Sequence, residues 1–549
     1  MKYTYKNSFF VAIAILLSMA GCKKYLTENN PAGRTAETYY NTAQGFEGLI
    51  NANYTQLRSV VNNQGLFFIG TDIFSSYGVN DNNDLNLYNK QLNSSDGSVA
   101  GFFGTAYYAI NLANTALYWS GQTISGEPTS TLNYRIGEAK TLRAYYYFLL
   151  VETFGDVPLV TARTTAPTLT YTRTSESAVY TQIIKDLNDA IAVLPATTPD
   201  LGRVTLGVAQ HLLAKVYLTR AYKTYGAGQA DFQKAADLAD AVIAGPYALN
   251  PVFSTLFDPT VSNFQANKEV IFSVQYSTNP LTNGGGDNLN QFALWDTQVV
   301  PFIARSSLYG KPSYVVAPTP FLFSLFDKQK DSRYQATFWN ALYAQVATDG
   351  FNVGDTSIYY PSTPFTPTQI AAKKYYVINP DQYRTSPPFS GLTRSYPEPK
   401  KFRELNLPYQ DGGGFRSIYV FRLSETYLID AEANLQLNNM AKAVSLFNVI
   451  RARAANPGND PATGISYATE MQVTSITVDD ILDERARELF GEEFRWFELK
   501  RTGKLISRTL ADNDEAKASN AMDTHDLLRP IPQSVIDLNQ TLFPQNPGY

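Results

Sequence analysis

Residues 72–89 read Asp-Ile-Phe-Ser-Ser-Tyr-Gly-Val-Asn-Asp-Asn-Asn-Asp-Leu-Asn-Leu-Tyr-Asn and crowd Tyr77, Asn80, Asp81, Asn83 and Tyr88 into one polar stretch. Aromatic faces press against C–H surfaces, and amides or carboxylates pair with hydroxyls, so this mixture suits a neutral polyol. The same combination returns after the turn Asn283-Gly284-Gly285-Gly286. There Trp295 stands in Asn290-Gln291-Phe292-Ala293-Leu294-Trp295-Asp296, with Tyr309 and Trp339 farther along. A tryptophan in a polar stretch has few apolar neighbours to bury it, which makes Trp295, and then Trp339, candidate platforms. Two plainer readings stand beside this one. Asn and Asp serve turns for backbone reasons alone, and a calcium loop fails because Leu85 breaks the ligand spacing and the required glycine is absent.

Other chemistries find less to work with. A glycoside hydrolase needs two carboxylates facing across a cleft, about 5–9 Å apart. Asp81 and Asp296 could be placed there, but 49 acids in 549 residues make such pairs inevitable by chance. One Cys and two His exclude Cys/His zinc clusters and disulfide frameworks, so no metal or cofactor is expected. The glycine runs 284–286 and 412–414 lack the Gly-Lys-Ser/Thr that cradles phosphate, and no serine stands in a nucleophile elbow. His211 lies among alanines and leucines and reads as a core residue; His525 sits in a loop with Asp523 and Asp526. With 45 Lys+Arg against 49 Asp+Glu the net charge is −4, and no basic stripe tracks a phosphate backbone, so nucleic acid is not an expected partner. A neutral ligand also predicts binding that varies little with salt.

The compartment is written at the N-terminus. Lys2 and Lys6 precede the twelve-residue apolar run Phe9–Ala20, too short for a hydrocarbon core of about 30 Å that takes roughly 20 helical residues. Residues 1–21 therefore read as a secretion signal. Cys22 follows the small pair Ala20-Gly21 in an arrangement that resembles a bacterial lipobox, with Met19 where Leu is usual. Cys22 is then the expected lipid attachment site, and acyl chains the membrane anchor.

The elements that must position the loops are helices. Apolar residues at helical spacing mark 105–118, 135–152, 177–194, 206–222 and 231–244, and again 418–437 and 440–454. The second ends at Gly155-Asp156-Val157-Pro158 and the fifth at Gly245-Pro246. Each presents one apolar stripe that a neighbour must cover, as in stacked tetratricopeptide units of about 34 residues. Between them the composition turns to Pro, Gly, Asn, Tyr and Thr, with short strand-like runs such as 269–274. The density of aromatics there argues for an ordered module. The expected class is mainly α: a tetratricopeptide-like helical-pair scaffold over 22–250 and 416–549, a large irregular loop-rich insertion over 251–415, and a few short strands. Stacked pairs also bind peptides, so an interaction scaffold is a further reading.

Residues 477–503 read as one amphipathic helix, N-capped by Thr477 with Asp480 and stopped at Gly503, its charges forming structural pairs such as Asp483 with Arg487. The run Glu484-Arg485-Ala486-Arg487-Glu488-Leu489-Phe490-Gly491-Glu492-Glu493, continuing Arg495-Trp496-Phe497-Glu498-Leu499-Lys500-Arg501, resembles the C-terminal signature of SusD/RagB outer-membrane lipoproteins. Leu142-Arg143-Ala144-Tyr145-Tyr146-Tyr147-Phe148, Arg422-Leu423-Ser424-Glu425-Thr426-Tyr427-Leu428 and Leu528-Arg529-Pro530-Ile531-Pro532 agree with it. The resemblance implies a non-catalytic protein that binds oligo- or polysaccharide at the cell surface and sits as a lid on a SusC-like TonB-dependent transporter. It also implies that the neighbourhood of Tyr77–Tyr88 faces ligand. Lys23-Lys24 stand where surface-exposed members often carry acids, which leaves the face of the outer membrane open.

Overall fold

The computed structural model describes residues 35–61, 63–76, 83–261, 266–294, 303, 308–310, 315–348, 350–384, 395–405, 407 and 413–549. Cys22, Tyr77, Asn80, Asp81, Trp295 and Asp296 lie outside the described residues.

Eight long helices form the scaffold: α1 Ala43–Val61, α2 Gly97–Ser120, α3 Thr129–Phe154, α4 Glu176–Ile191, α5 Leu206–Ala221, α6 Gln229–Ile243, α7 Leu423–Gln436 and α8 Met440–Ala454. Asp96 caps α2 by accepting the Val99 N–H at 2.8 Å. Gly155, at φ +70°, ends α3, since a side chain there would be strained. Each helix packs on the next, and α6 packs directly on α7 although some 180 residues separate them in sequence. From Leu142 to Phe154 α3 is buried on every face, as a helix flanked on both sides must be. The row is therefore continuous, and the insertion shares its hydrophobic core.

Seven short strands complete the described architecture: β1 Phe74–Ser76, β2 Val270–Val274, β3 Val316–Pro318, β4 Ala341–Tyr343, β5 Thr356–Tyr359, β6 Tyr376–Val377 and β7 Ile418–Arg422. β1 pairs with β3, β2 with β7, and β4–β5–β6 form a small mixed sheet. The antiparallel β2–β7 pair brings the two ends of the insertion together at the foot of α7. This corrects the sequence expectation of a helix over 418–437. Ile418-Tyr419-Val420-Phe421 are β-branched and aromatic, they find a partner strand in Val270–Val274, and the helix starts at Leu423.

The C-terminal signature is two helices rather than one: α9 Val478–Glu488 and α10 Arg495–Arg501, followed by α11 Leu505–Asp512. Thr477 and Asp480 cap α9 reciprocally, as expected. The break falls at Gly491, φ +73°, where an added Cβ would lie 2.6 Å from the Phe402 ring and 2.9 Å from the Phe292 ring. Those rings belong to an aromatic core that joins the three parts of the chain. Phe292 packs against Phe68 and Phe74 at 5.4 Å each and against Phe490 at 5.6 Å. Many aromatics of the insertion thus face inward, Phe253, Phe292, Tyr334, Phe338, Tyr360 and Tyr396 among them.

Candidate functional site

The β1–β3 register sets Ser76 opposite Val316. The chain thus leaves β1 toward residues 77–82 at the place where it enters β3 after residues 311–314. Arg384 is tied to the same place. Its guanidinium donates to Ser75 Oγ at 2.9 Å and pairs with Asp514 at 3.0 Å, while its N–H donates to the Ser395 carbonyl at 2.7 Å. The described residues that bound 77–82, 311–314 and 385–394 are thereby gathered at one end of a two-stranded sheet.

The expected ligand-facing residues divide. Asn83 begins the short helix Asn83–Leu87. Tyr88 is 2% exposed and donates its hydroxyl to the Gly70 carbonyl at 2.5 Å. Tyr309 is 4% exposed; its hydroxyl accepts the Tyr343 N–H at 2.7 Å, and burial pushes its pKa up to about 12. Both rings are core contacts, a correction to their expected role as platforms. Their partners are far off in sequence, so nothing local to either tyrosine signals its burial. Trp339 is half-buried, its ring edge-on to Tyr309 with centroids 5.6 Å apart, so these two candidates do meet. Trp119 and Trp496 are buried in the scaffold, as expected.

Trp339 stands on the wall of an open cleft of about 710 Å³ between the insertion and the end of α8. Val252, Asp258, Gln335, Lys400 and Arg403 are among the residues around it. Lys400 Nζ lies 4.8 Å and Arg403 Cζ 5.4 Å from the Trp339 ring centroid, a cation–π arrangement. Burial, and then the charge of Arg403, push the Lys400 ammonium down. The sequence reading passed over this cleft, although the run Lys400-Lys401-Phe402-Arg403 is a visible signal.

The two glycine runs meet each other rather than a phosphate. Asp287 and Gly414 exchange backbone hydrogen bonds of 3.0 and 2.8 Å, and a Cβ on Gly413 would lie 1.9 Å from the Gly285 carbonyl oxygen. Beneath this contact Asp287 accepts the Leu289 N–H at 2.9 Å and Glu404 the Phe415 N–H at 3.0 Å. Burial, and for Glu404 also the charge of Asp287, push these carboxyls up to about 6 and about 7. They are a perturbed acid pair, but both are buried and engaged in holding the backbone turn.

Charge around α9 and α10 is buried and paired. Glu488 of α9 accepts from Arg422 at 3.0 Å, from Arg333 at 3.1 Å and from Arg453. Glu484 accepts from Arg333 at 2.7 Å and Arg451 at 3.0 Å. Arg495 grips Asp72 with two bonds of 2.9 and 2.7 Å, and Arg501 reaches Glu432 of α7. Burial alone would raise Glu484 and Glu488; the surrounding arginines outweigh it and hold both far below the usual carboxylate range. The expectation of a structural charge network holds, but its pairs are mostly long-range. Asp483 pairs with Arg508, and Arg487 with Glu484, rather than with each other. His211 is fully buried, its ring nitrogens 2.9 Å from Thr426 Oγ1 and 3.1 Å from Glu425 Oε2. Asp523, His525 and Asp526 share one tight turn, where Asp523 caps the His525 N–H at 2.7 Å.

Comparison with known proteins decides what this arrangement belongs to. The signature of the SusD family matches residues 268–549, and that described as "starch-binding associating with outer membrane" matches residues 24–218. The chain belongs to the SusD family. It is 28% identical over 564 residues to SusD-like protein P2 of Formosa agariphila, covering 99% of both chains. It is 24% identical over 461 residues to the starch-binding protein SusD of Bacteroides thetaiotaomicron, covering 79% of this chain and 76% of that one. Among solved structures, a SusD homolog from Bacteroides thetaiotaomicron superposes with a TM-score of 0.72 at 22% identity over 94% of this chain and 99% of that one. A laminarin-binding SusD-like protein gives 0.67 at 23% identity over 92% of this chain and 100% of that one. The helical row with its insertion is thus the SusD fold, and the paired charges of α9 and α10 are what its C-terminal signature builds here.

Proposed function

We propose that this SusD-family chain is a non-catalytic, lipid-anchored protein of the outer membrane. It binds oligo- or polysaccharide at the cell surface and hands it to a SusC-like TonB-dependent transporter. The observation that carries this reading is similarity along almost the whole chain to SusD-like proteins, with both family signatures matched. The relatives' starch- and laminarin-binding names agree with it. The grip is assigned to Tyr77, Asn80, Asp81, Asn83, Trp295 and Trp339. In its support, the residues bounding the first stretch and those entering β3 converge at one end of the β1–β3 sheet, and Trp339 reaches the surface of an open cleft. Among the described residues no helix is long and apolar enough to cross a membrane, which agrees with attachment through Cys22. Cys22→Ala should move the protein from the membrane fraction to the soluble one; unchanged fractionation removes the anchor.

The binding claim is tested by affinity electrophoresis of the purified chain in gels containing a panel of polysaccharides, with reducing ends assayed in parallel. Retardation by at least one polymer without new reducing ends is the expected result. Turnover abolished by a single Asp or Glu substitution would make the protein a hydrolase instead, and no retardation in any gel would overturn the reading.

A further inference from the structure

The cleft beside Trp339 is lined differently from the surroundings of α9 and α10. Lys400 Nζ and the Arg403 guanidinium donate to no carboxylate among the described residues; both lie over the Trp339 ring. Their neighbour Lys401, by contrast, donates to Glu492 at 2.6 Å. Asp258, the acid at this cleft, accepts the Thr260 N–H at 2.9 Å and its hydroxyl at 2.7 Å, and its charge acts on both cations from beyond ion-pair distance. Two half-buried cations thus stand side by side with no ion pair among the described residues; the charge of Asp258 reaches both, one carboxylate for two cations, in a chain whose net charge is −4. Cation–π contact fixes their position without neutralising them. A charge removed from water and left unpaired is unfavourable, and an anion entering between the two relieves both.

We propose that this cleft binds an acidic saccharide, with Lys400 and Arg403 receiving its carboxylate or sulfate group while the remaining sugar lies along the cleft. The assignment rests on the glycan-binding reading above and deepens it by naming a charged ligand class. The size of the cleft, about 710 Å³, exceeds what an inorganic anion fills and accommodates several sugar rings. The side-chain amide of Gln335, exposed on the same wall, is placed for hydroxyls. The neutral ligand suggested by composition is thereby revised locally: binding here should weaken as salt rises.

The test uses the full chain and two matched pairs of polymers, polygalacturonate against its methyl ester and dextran sulfate against dextran, by calorimetry at low and high sodium chloride. At least one acidic member should bind tenfold or more tighter than its neutral counterpart, with the gap shrinking in high salt; which pair shows it separates carboxylate from sulfate recognition. The Lys400→Gln, Arg403→Gln double variant should lose that preference with its melting temperature nearly unchanged, and Lys400→Arg should keep it. Equal affinity for acidic and neutral members, or a double variant that keeps the preference, overturns the charge assignment alone. Failure of every polymer, acidic or neutral, in these titrations and in the electrophoresis panel overturns the glycan reading with it.

Discussion

The α9–α10 region and the cleft beside Trp339 both concentrate arginine and lysine, and they treat them in opposite ways. In α9 and α10 guanidinium groups meet buried carboxylates, with Arg333 alone holding Asp331, Glu484 and Glu488. At the cleft Lys400 and Arg403 hold an aromatic ring and, among the described residues, form no ion pair. Charges paired inside a core fix which elements meet; charges held ready at an open surface are available to a ligand. The signature residues that dominate the family resemblance therefore build the scaffold, and the binding chemistry is proposed for the less conspicuous insertion.

Substitutions should separate the two regions by size of effect. Glu488→Gln leaves Arg333, Arg422 and Arg453 buried beside a neutral group, and unfolding by denaturant should show a loss of about 3–5 kcal/mol. A loss below about 1 kcal/mol would mean the network contributes little. The Asp287–Glu404 pair should show itself through pH. Glu404's folded pKa, about 7, lies above its ordinary value of 4.5. Its neutral form is therefore favoured by the fold, and the associated stability is fully present below about pH 4.5 and lost as pH rises through 7. Glu404→Gln should match the wild type near pH 4.5 and exceed it by on the order of 2 kcal/mol at pH 8 in thermal or denaturant melts; parallel profiles would refute the assignment. Smallest of all, Lys400→Gln should change stability by less than about 0.5 kcal/mol, because it removes no ion pair and relieves repulsion from Arg403. A large loss there would place Lys400 with the scaffold.

The helices were legible wherever an apolar stripe ended on a recognisable stop, as in α3 at Gly155 and α6 before Gly245-Pro246. Two misreadings have physical causes. Ile418–Arg422 continues the apolar run of α7, and only the distant Val270–Val274 makes it a strand. Gly491 sits within an amphipathic pattern, and the rings of Phe292 and Phe402 pressing on it demand the turn. The site was legible by residue type and illegible by exposure. Tyr88 and Tyr309 have the right chemistry, but their hydroxyls bond backbone at Gly70 and Tyr343. That Lys400 and Arg403 form no ion pair among the described residues is visible only in three dimensions, since Glu398 and Glu404 flank them closely in sequence.

The contrast between scaffold and insertion is tested most directly by calorimetry of Trp295→Ala beside Trp496→Ala, measuring melting and polysaccharide affinity on the same samples. Trp496 is 1% exposed, so its truncation should cost about 3–5 kcal/mol of stability. Trp295→Ala should melt within a few degrees of the wild type and bind polysaccharide at least tenfold more weakly. A Trp295→Ala protein that melts as low as Trp496→Ala yet binds glycan undiminished would contradict the account.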